Sequence, residues 1–446
     1  MKTLKTFLKE VQKQQKKIIC FGTGLMAEEA LRYEILRQAV ICLTDNDKEK
    51  QGGEIELAGR FYPVIAPDEL PEYLDSDTVL LLTSGHFQAM RRQLEEMKLK
   101  PEQEIYAFPE LQVAYTPDSE EFFEERFLKE CLKEYEAVLG QYHITEEEKI
   151  RKLQEKENFI RGKSAGERPF VIPRIMIMPT TRCNMRCRGC SSLLPLFEKP
   201  CDVEIGQILQ DFDLFFSGVD ECIRITVGGE PFLYPHLREI LDYLLKQEKV
   251  LGILLITNST LLPKPEVTQL LKNPKILVEI SDYGHLEKMS RLIALLEENE
   301  VCFKVLTDQT WTDMGGVECR KRTKEELRFN YLNCDQGKVI KGFHDGRFHT
   351  CARSARMLAL GVYQSERDYF DLKPEDSPEE IRRKLKAVFY SESADACDYC
   401  DLGALPAKSI EAGIQMKGNM RKSRYTIVDR QEYEELKRLS RLRRQE

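Results

Sequence analysis

The chain has 446 residues, 42% of them apolar and 32% charged, with 25 Gly and 19 Pro. That composition excludes a disordered or fibrous chain, and the length suggests about three domains at ~150 residues each. Lys and Arg number 67 against 75 Asp and Glu, a net charge of −8 that argues against a generally basic DNA or RNA binder. The longest apolar runs, such as 79–82 and 253–256, fall far short of the ~20 residues a membrane helix needs, and residues 1–17 carry Lys and Gln with no apolar signal core. No membrane span and a cytoplasmic location are expected.

Strand and helix patterns alternate from the start. Lys17–Phe21 is an apolar strand running into Gly22-Thr-Gly24-Leu-Met-Ala27, with a helix predicted over 28–37. Further strands are predicted at 39–43, ending at Thr44-Asp45-Asn46-Asp47, at 78–83 and at Glu104–Ala107, with a helix over 87–97. This alternation predicts a Rossmann-like parallel sheet with helices on both faces over residues 1–110. Gly22-x-Gly24-x-x-Ala27 opens a helix after a strand, and Asp45 falls 21 positions beyond Gly24. The spacing matches the dinucleotide fingerprint with Ala for its third glycine, so Gly22, Gly24 and Asp45 are candidate cofactor-binding residues. The unit is short for a complete six-stranded dinucleotide fold, however, and the segment after Asp45 reads as a loop. A ligand site and a purely structural module both remain open.

Residues 111–168 are Glu- and Lys-rich and read as a helical linker that ends at 163–166. The βα rhythm resumes over 169–328. Strands are predicted at 174–178, 223–227, 251–257, Ile276–Ser281 and 302–306, and helices at 205–216, 237–247 and 286–297. The rhythm then fades into a Cys- and Gly-marked segment at 329–408. Residues 409–446 read as a basic helical tail, its part from 417 onward holding ten Lys and Arg against five Asp and Glu. A solvated helix face is the expected role.

Fourteen cysteines in a reducing compartment point to metal or iron–sulfur ligation rather than disulfides. Cys183-Asn-Met-Arg-Cys187-Arg-Gly-Cys190 follows directly on a predicted strand. Three thiolates on one short loop can hold three irons of a four-iron cluster and leave the fourth open to a substrate-sized ligand. A structural zinc would want a fourth ligand, and Cys201, eleven positions on, keeps a zinc knuckle open. The next strand ends in Val227-Gly228-Gly229-Glu230-Pro231, where glycines admit close backbone approach and a carboxylate can accept hydrogen bonds from an ammonium.

These two motifs resemble those of the radical S-adenosylmethionine (radical SAM) superfamily: Cys-x3-Cys-x2-Cys after the first strand of a partial (βα)6 barrel, then Gly-Gly-Glu-Pro. The resemblance covers roughly residues 170–310. It implies that Cys183, Cys187 and Cys190 ligate a [4Fe-4S] cluster and that Gly228, Gly229, Glu230 and Pro231 bind the methionyl amine of SAM. It also points to Asn258 and Ser281, at the ends of later strands, for the ribose or carboxylate of SAM, and to Asp282 for the substrate. Turn and cap roles are the plain alternative for these last residues. An electron donor of the flavodoxin or ferredoxin kind is the implied partner. The N-terminal unit resembles small nucleotide-binding-like domains fused to enzymes of bacterial polysaccharide loci.

A second group, Cys334, Cys351, Cys397 and Cys400, resembles the ligand set of the twitch extension, a short form of the SPASM domain. It implies one auxiliary [4Fe-4S] cluster closed by four thiolates and suited to electron relay; a single zinc would use the same ligands. Cys20, Cys42, Cys131, Cys222, Cys302 and Cys319 have no partner spacing and read mostly as buried apolar residues. Cys201, Cys302 and Cys319 are weak candidates for hydrogen-atom donors. The expected function is a radical SAM oxidoreductase acting on a carbohydrate or carrier-linked sugar. Peptide modification, sugar epimerisation and a non-catalytic electron carrier are the alternatives.

Overall fold

The computed structural model describes residues 2–99, 103–114, 119–162, 168–307, 310–417 and 426–427. The expected linker end at 163–166 and nearly all of the tail beyond 417 lie outside the described residues. The chain divides into two units, Met1–Phe122 with Ala404–Ala407, and Phe123–Gly403 with Lys408–Glu446. No helix among the described residues is long and apolar enough to cross a membrane.

In the first unit, strands β1 (Lys17–Phe21), β2 (Val40–Thr44), β3 (Glu54–Leu57), β4 (Arg60–Ile65), β5 (Thr78–Leu82) and β6 (Glu104–Ala107) form one sheet of order β3-β4-β2-β1-β5-β6. All pairings are parallel except the β3–β4 hairpin. The central strands are apolar on both sides because helices cover both faces, as a doubly wound sheet requires. The expected parallel sheet is present, with two additions. Residues 48–53 lead into the unexpected hairpin, whose turn places Ala58 and Gly59 at positive φ, the geometry that matches strand twist. Pro63 masked β4, but β4 pairs with β2 only beyond it, at Val64 and Ile65. The helix expected over 28–37 is two helices, Leu25–Leu31 and Glu34–Ala39, broken at Tyr33, whose backbone is extended.

The second unit is built on β7 (Val171–Ile177), β8 (Glu221–Val227), β9 (Val250–Thr257), β10 (Ile276–Ser281) and β11 (Phe303–Leu306), all parallel and paired in sequence order. β12 (Thr310–Thr312) leaves this sheet. A sixth parallel strand, β13 (Ile340–His344), joins it beside β7 at the opposite edge from β11, followed by the antiparallel β14 (Arg347–His349) and β15 (Tyr369–Asp371). The Cys-rich extension is thus continuous with the barrel sheet. Gly342 makes that possible: a Cβ there would stand 2.8 Å from the carbonyl of Cys351, at the start of the helix Ala352–Ala359 lying on β13.

Two segments differ from the sequence expectation. The helix Lys129–Leu139, expected within a linker, packs across β7, β8 and β9. Its Glu134 lies 3.5 Å from both Arg174 and Arg224, and its Val138 fits the space left by Gly252, where a Cβ would meet it at 2.7 Å. Residues 409–417 are not helical tail: β16 (Ser409–Glu411) pairs antiparallel with β12, and Gln415 bridges to Cys187.

Candidate active site

The carboxyl ends of β7 to β10 converge, as parallel barrel strands do at the functional face. After β7, the triad loop is fixed at its base by a short antiparallel seam with residues 201–203. Thr181 N–H donates to Cys201 O at 2.9 Å, Cys201 N–H to Thr181 Oγ1 at 2.8 Å, and Val203 N–H to Pro179 O at 2.8 Å. Cys190 N–H then donates to Cys187 O at 3.3 Å across a turn whose third residue, Gly189, has φ +71°. An L side chain there would be strained, so glycine is what lets the loop double back and present three thiols.

Each thiol faces hydrogen-bond donors. Cys183 Sγ accepts from Met185 N–H at 3.4 Å and Asn258 Nδ2 at 3.6 Å, and Cys187 Sγ from Gln415 Nε2 at 3.1 Å. The backbone amides of Leu194, Ser192 and Leu193 point at Cys190. Burial nonetheless pushes the Cys183 thiol up to about 11 and Cys187 to about 12, and raises Cys190. Three neighbouring thiolates at neutral pH therefore need a bound cation to offset burial and mutual repulsion.

After β8, Gly229 has φ +84° and a Cβ on it would stand 2.8 Å from Thr180 O, so the Gly-Gly-Glu-Pro turn fits directly under the triad loop. Glu230 is 1% exposed. Its carboxylate accepts from Thr257 Oγ1 at 2.9 Å, Asn258 N–H at 3.0 Å and Phe232 N–H at 3.4 Å, and it caps the 3-10 turn begun by Pro231. Burial outweighs these donors and pushes Glu230 up to about 7. A cation beside it would reverse that shift.

Asn258 ties the two motifs together. Its Nδ2 also donates to Asn184 Oδ1 at 3.0 Å, its Oδ1 accepts from Thr260, and Asn184 Nδ2 donates to Thr260 Oγ1 at 2.6 Å. Ser281, at the end of β10, is buried and hydrogen-bonds the phenol of Tyr283, which lies close enough to Cys187 and Cys190 to feel their charge. Asp282 accepts from Gly284 N–H at 3.0 Å, which is turn chemistry.

A cavity of about 480 Å³ opens against the triad loop, lined by Cys187 and Cys190 on one side and by Asp313, Glu318 and Arg353 on the other. Arg353 is buried, its Nη2 donating to the carbonyls of Gly315 and Gly316, and its Nε has no partner among the described residues. The same arginine lines the space enclosed by Cys334, Cys351, Cys397 and Cys400, which the fold brings together from four separate positions. Cys334 and Cys351 sit at helix starts, where the amides of Gly337 and Ser354 each donate to sulfur at 3.3 Å. Arg322 bonds the carbonyls of Cys397 and Cys400 and so holds the last loop. Among the described residues no three His, Cys, Asp or Glu groups close on a single-ion site. Cys187 and Cys190 border the larger cavity, whereas the four auxiliary thiols enclose only about 20 Å³.

The remaining cysteines stand elsewhere. Cys20, Cys42, Cys131 and Cys222 are buried and Cys201 is exposed. Cys302 precedes β11, at the end of the strand opposite the site. Cys319 is exposed, with its Sγ 3.0 Å from Asp398. The sequence reading did not single out Asn184, Thr260, Tyr283, Arg353 or Gln415. A polar residue right after a motif cysteine, as Asn184 is, is the one usable signal; the others come from loops whose contacts only the fold sets.

In the first unit, Gly22 has φ +108° and lies against Thr83 O. Asp45 accepts from Thr23 N–H at 3.0 Å and Thr23 Oγ1 at 2.6 Å, with Lys50 at 3.8 Å. Burial works against its ionisation, yet these bonds and Lys50 hold its carboxyl below the usual range. Gly24 starts its helix with open space around it.

Residues 177–281 match the sequence profile of the Radical SAM superfamily. Among curated proteins, the antilisterial bacteriocin subtilosin biosynthesis protein AlbA of Bacillus subtilis (strain 168) is 39% identical over 122 residues. That match spans 26% of this chain and only 26% of AlbA. Among solved structures, BtrN in complex with AdoMet and 2-DOIA aligns over 52% of this chain and 93% of its own, at 14% identity and a TM-score of 0.34. Streptococcus suis SuiB bound to precursor peptide SuiA aligns over 59% and 76%, at 13% identity and a TM-score of 0.30.

Proposed function

We propose, from the premise that residues 177–281 form a radical SAM domain, that this radical SAM enzyme oxidises a carbohydrate or carrier-linked sugar held in the cavity beside the triad. The observation that carries the SAM-binding part is Asn258, which hydrogen-bonds Cys183 Sγ through its side chain and Glu230 through its backbone. Radical SAM proteins bind a [4Fe-4S] cluster and SAM; when bound, these supply a 5′-deoxyadenosyl radical that abstracts hydrogen, and an auxiliary cluster supplies an electron acceptor.

The chain's own residues divide the work. Cys183, Cys187 and Cys190 would hold the cluster, three thiolates for four irons. Glu230, with Gly228, Gly229 and Pro231 shaping its turn, would receive the methionyl amine, and Asn258 and Ser281 would serve the remaining polar groups of SAM. The cavity would take the substrate, and Cys334, Cys351, Cys397 and Cys400 would hold the second cluster. Oxidation is preferred to epimerisation because Cys201, Cys302 and Cys319 do not line that cavity. A mere electron carrier would have no use for a buried carboxylate at this place. A flavodoxin- or ferredoxin-type protein is the proposed electron donor. In the N-terminal unit, the bonds from Thr23 to Asp45 support a structural role for the glycine loop over a nucleotide site. A second reading, oxidation of a peptide, is favoured by the 39% identity to a bacteriocin biosynthesis protein. Anaerobic reconstitution followed by turnover with polysaccharide precursors and with peptides separates the two: a new carbonyl on a sugar supports the first, a cross-linked or oxidised peptide the second.

Glu230→Gln should weaken SAM binding by about 1–3 kcal/mol, the range for losing a charge-assisted hydrogen bond. Ionised Glu230 is the form that pairs with an amine, and in the free protein it ionises at about 7. SAM affinity should therefore fall as pH drops below that point, and the Gln variant should lose this pH dependence. Equal SAM affinity in wild type and variant across the range would remove Glu230 from the site.

A further inference from the structure

The segment that follows the auxiliary thiols returns to the triad. β16 is seated on β12 with Ile410 opposite Trp311. The chain then runs antiparallel to the triad loop: Arg188 N–H donates to Ile414 O at 2.7 Å and Met416 N–H to Arg186 O at 2.9 Å. Two glycines allow so close an approach. A Cβ on Gly189 would collide with Ile410, and one on Gly413 would stand 2.6 Å from the ring of Tyr283. At the centre of the seam is Gln415. Its Oε1 accepts from Arg186 N–H at 2.7 Å, while Nε2 donates to Gly413 O at 2.7 Å and to Cys187 Sγ at 3.1 Å. Arg186 N–H can only donate and Gly413 O can only accept, so the orientation of the amide is determined and an N–H faces the sulfur.

We propose that Gln415 is a positioning residue for the triad, and that 409–416 is a clasp holding the loop and setting the electron affinity of the cluster Cys187 ligates. The inference rests on the radical SAM reading above. An N–H aimed at a ligating sulfur stabilises added negative charge, so it favours the reduced cluster and raises its potential. The clasp also packs Ile410 against Gly189. Chain that lies 228 positions away in sequence thereby completes the cluster site.

Two substitutions in the reconstituted full-length protein separate the donor from the clasp. Gln415→Glu keeps an acceptor for Arg186 N–H and removes the donor to sulfur; Gln415→Leu removes both. Redox titration is followed by the electron paramagnetic resonance (EPR) signal that changes on adding SAM. Both variants should titrate at more negative potential, with the reduced fraction at a fixed potential lowered by ~3- to 10-fold, tenfold being ~59 mV for one electron. Wild-type protein carrying ¹⁵N-glutamine should show nitrogen coupling to that cluster in pulsed EPR, a readout that needs no variant to fold. Unmoved potentials in both variants with the cluster in place, or no nitrogen coupling in the wild type, would overturn the proposal. A SAM-responsive cluster with those negative results sinks the clasp alone. A reduced cluster that ignores SAM sinks the radical SAM reading and the clasp with it.

Discussion

Cys187→Ala is expected to end SAM cleavage, with 5′-deoxyadenosine formation falling beyond the ~100-fold loss that changes to outer hydrogen-bond partners reach. In the proposed site Cys187 is the middle ligand, on a loop with no spare thiol. Cys201, the nearest other cysteine in sequence, is exposed and contributes its backbone to the base of the loop. Iron at the four auxiliary thiols should stay, at about four per chain, because those residues are enclosed by their own helices and by Arg322. Iron analysis and product quantification on the same sample check both halves. 5′-Deoxyadenosine at the wild-type rate would refute the ligand assignment.

Replacing Cys397 and Cys400 together should have the second largest effect, and its character distinguishes the chemistry. Iron should fall from about eight to about four per chain, given two four-iron clusters. SAM binding should survive, since the triad, Glu230 and Asn258 make no hydrogen bond to these two cysteines. A substrate radical would then lack its electron acceptor, so oxidised product should collapse while 5′-deoxyadenosine still forms. Normal product yield in the double variant would reject the relay role and favour a redox-neutral rearrangement.

Much of this site was legible because it lies on strands with strong local signals. Lys17–Phe21, Glu104–Ala107 and Ile276–Ser281 form with the expected bounds, the first and last as mostly buried apolar runs. The two Cys-and-Gly motifs fall at the ends of β7 and β8 because a parallel barrel gathers such ends on one face. What escaped has physical reasons. The helix Leu4–Gln14 buries only Phe7 and Val11, a pattern diluted by its lysines. Lys129–Leu139 reads as part of a connector because its segment is rich in Glu and Lys and sparse in apolar residues, whereas its Glu134 meets Arg174 and Arg224 across the sheet. The place of β13 beside β7, and the return of 409–416 to the triad, are long-range pairings that local pattern does not encode. Arg353 and Gln415 gain their roles only through those pairings.

On the proposed reading, one chain holds a SAM-cleaving site and a separate auxiliary cluster site. Mössbauer and EPR spectroscopy on the ⁵⁷Fe-reconstituted wild-type protein, before and after SAM, test it most directly. About eight irons per chain are expected in two [4Fe-4S] clusters, only one of which changes its spectrum when SAM is added. Four irons with zinc at the auxiliary thiols would contradict the second site, and two clusters both indifferent to SAM would contradict the first.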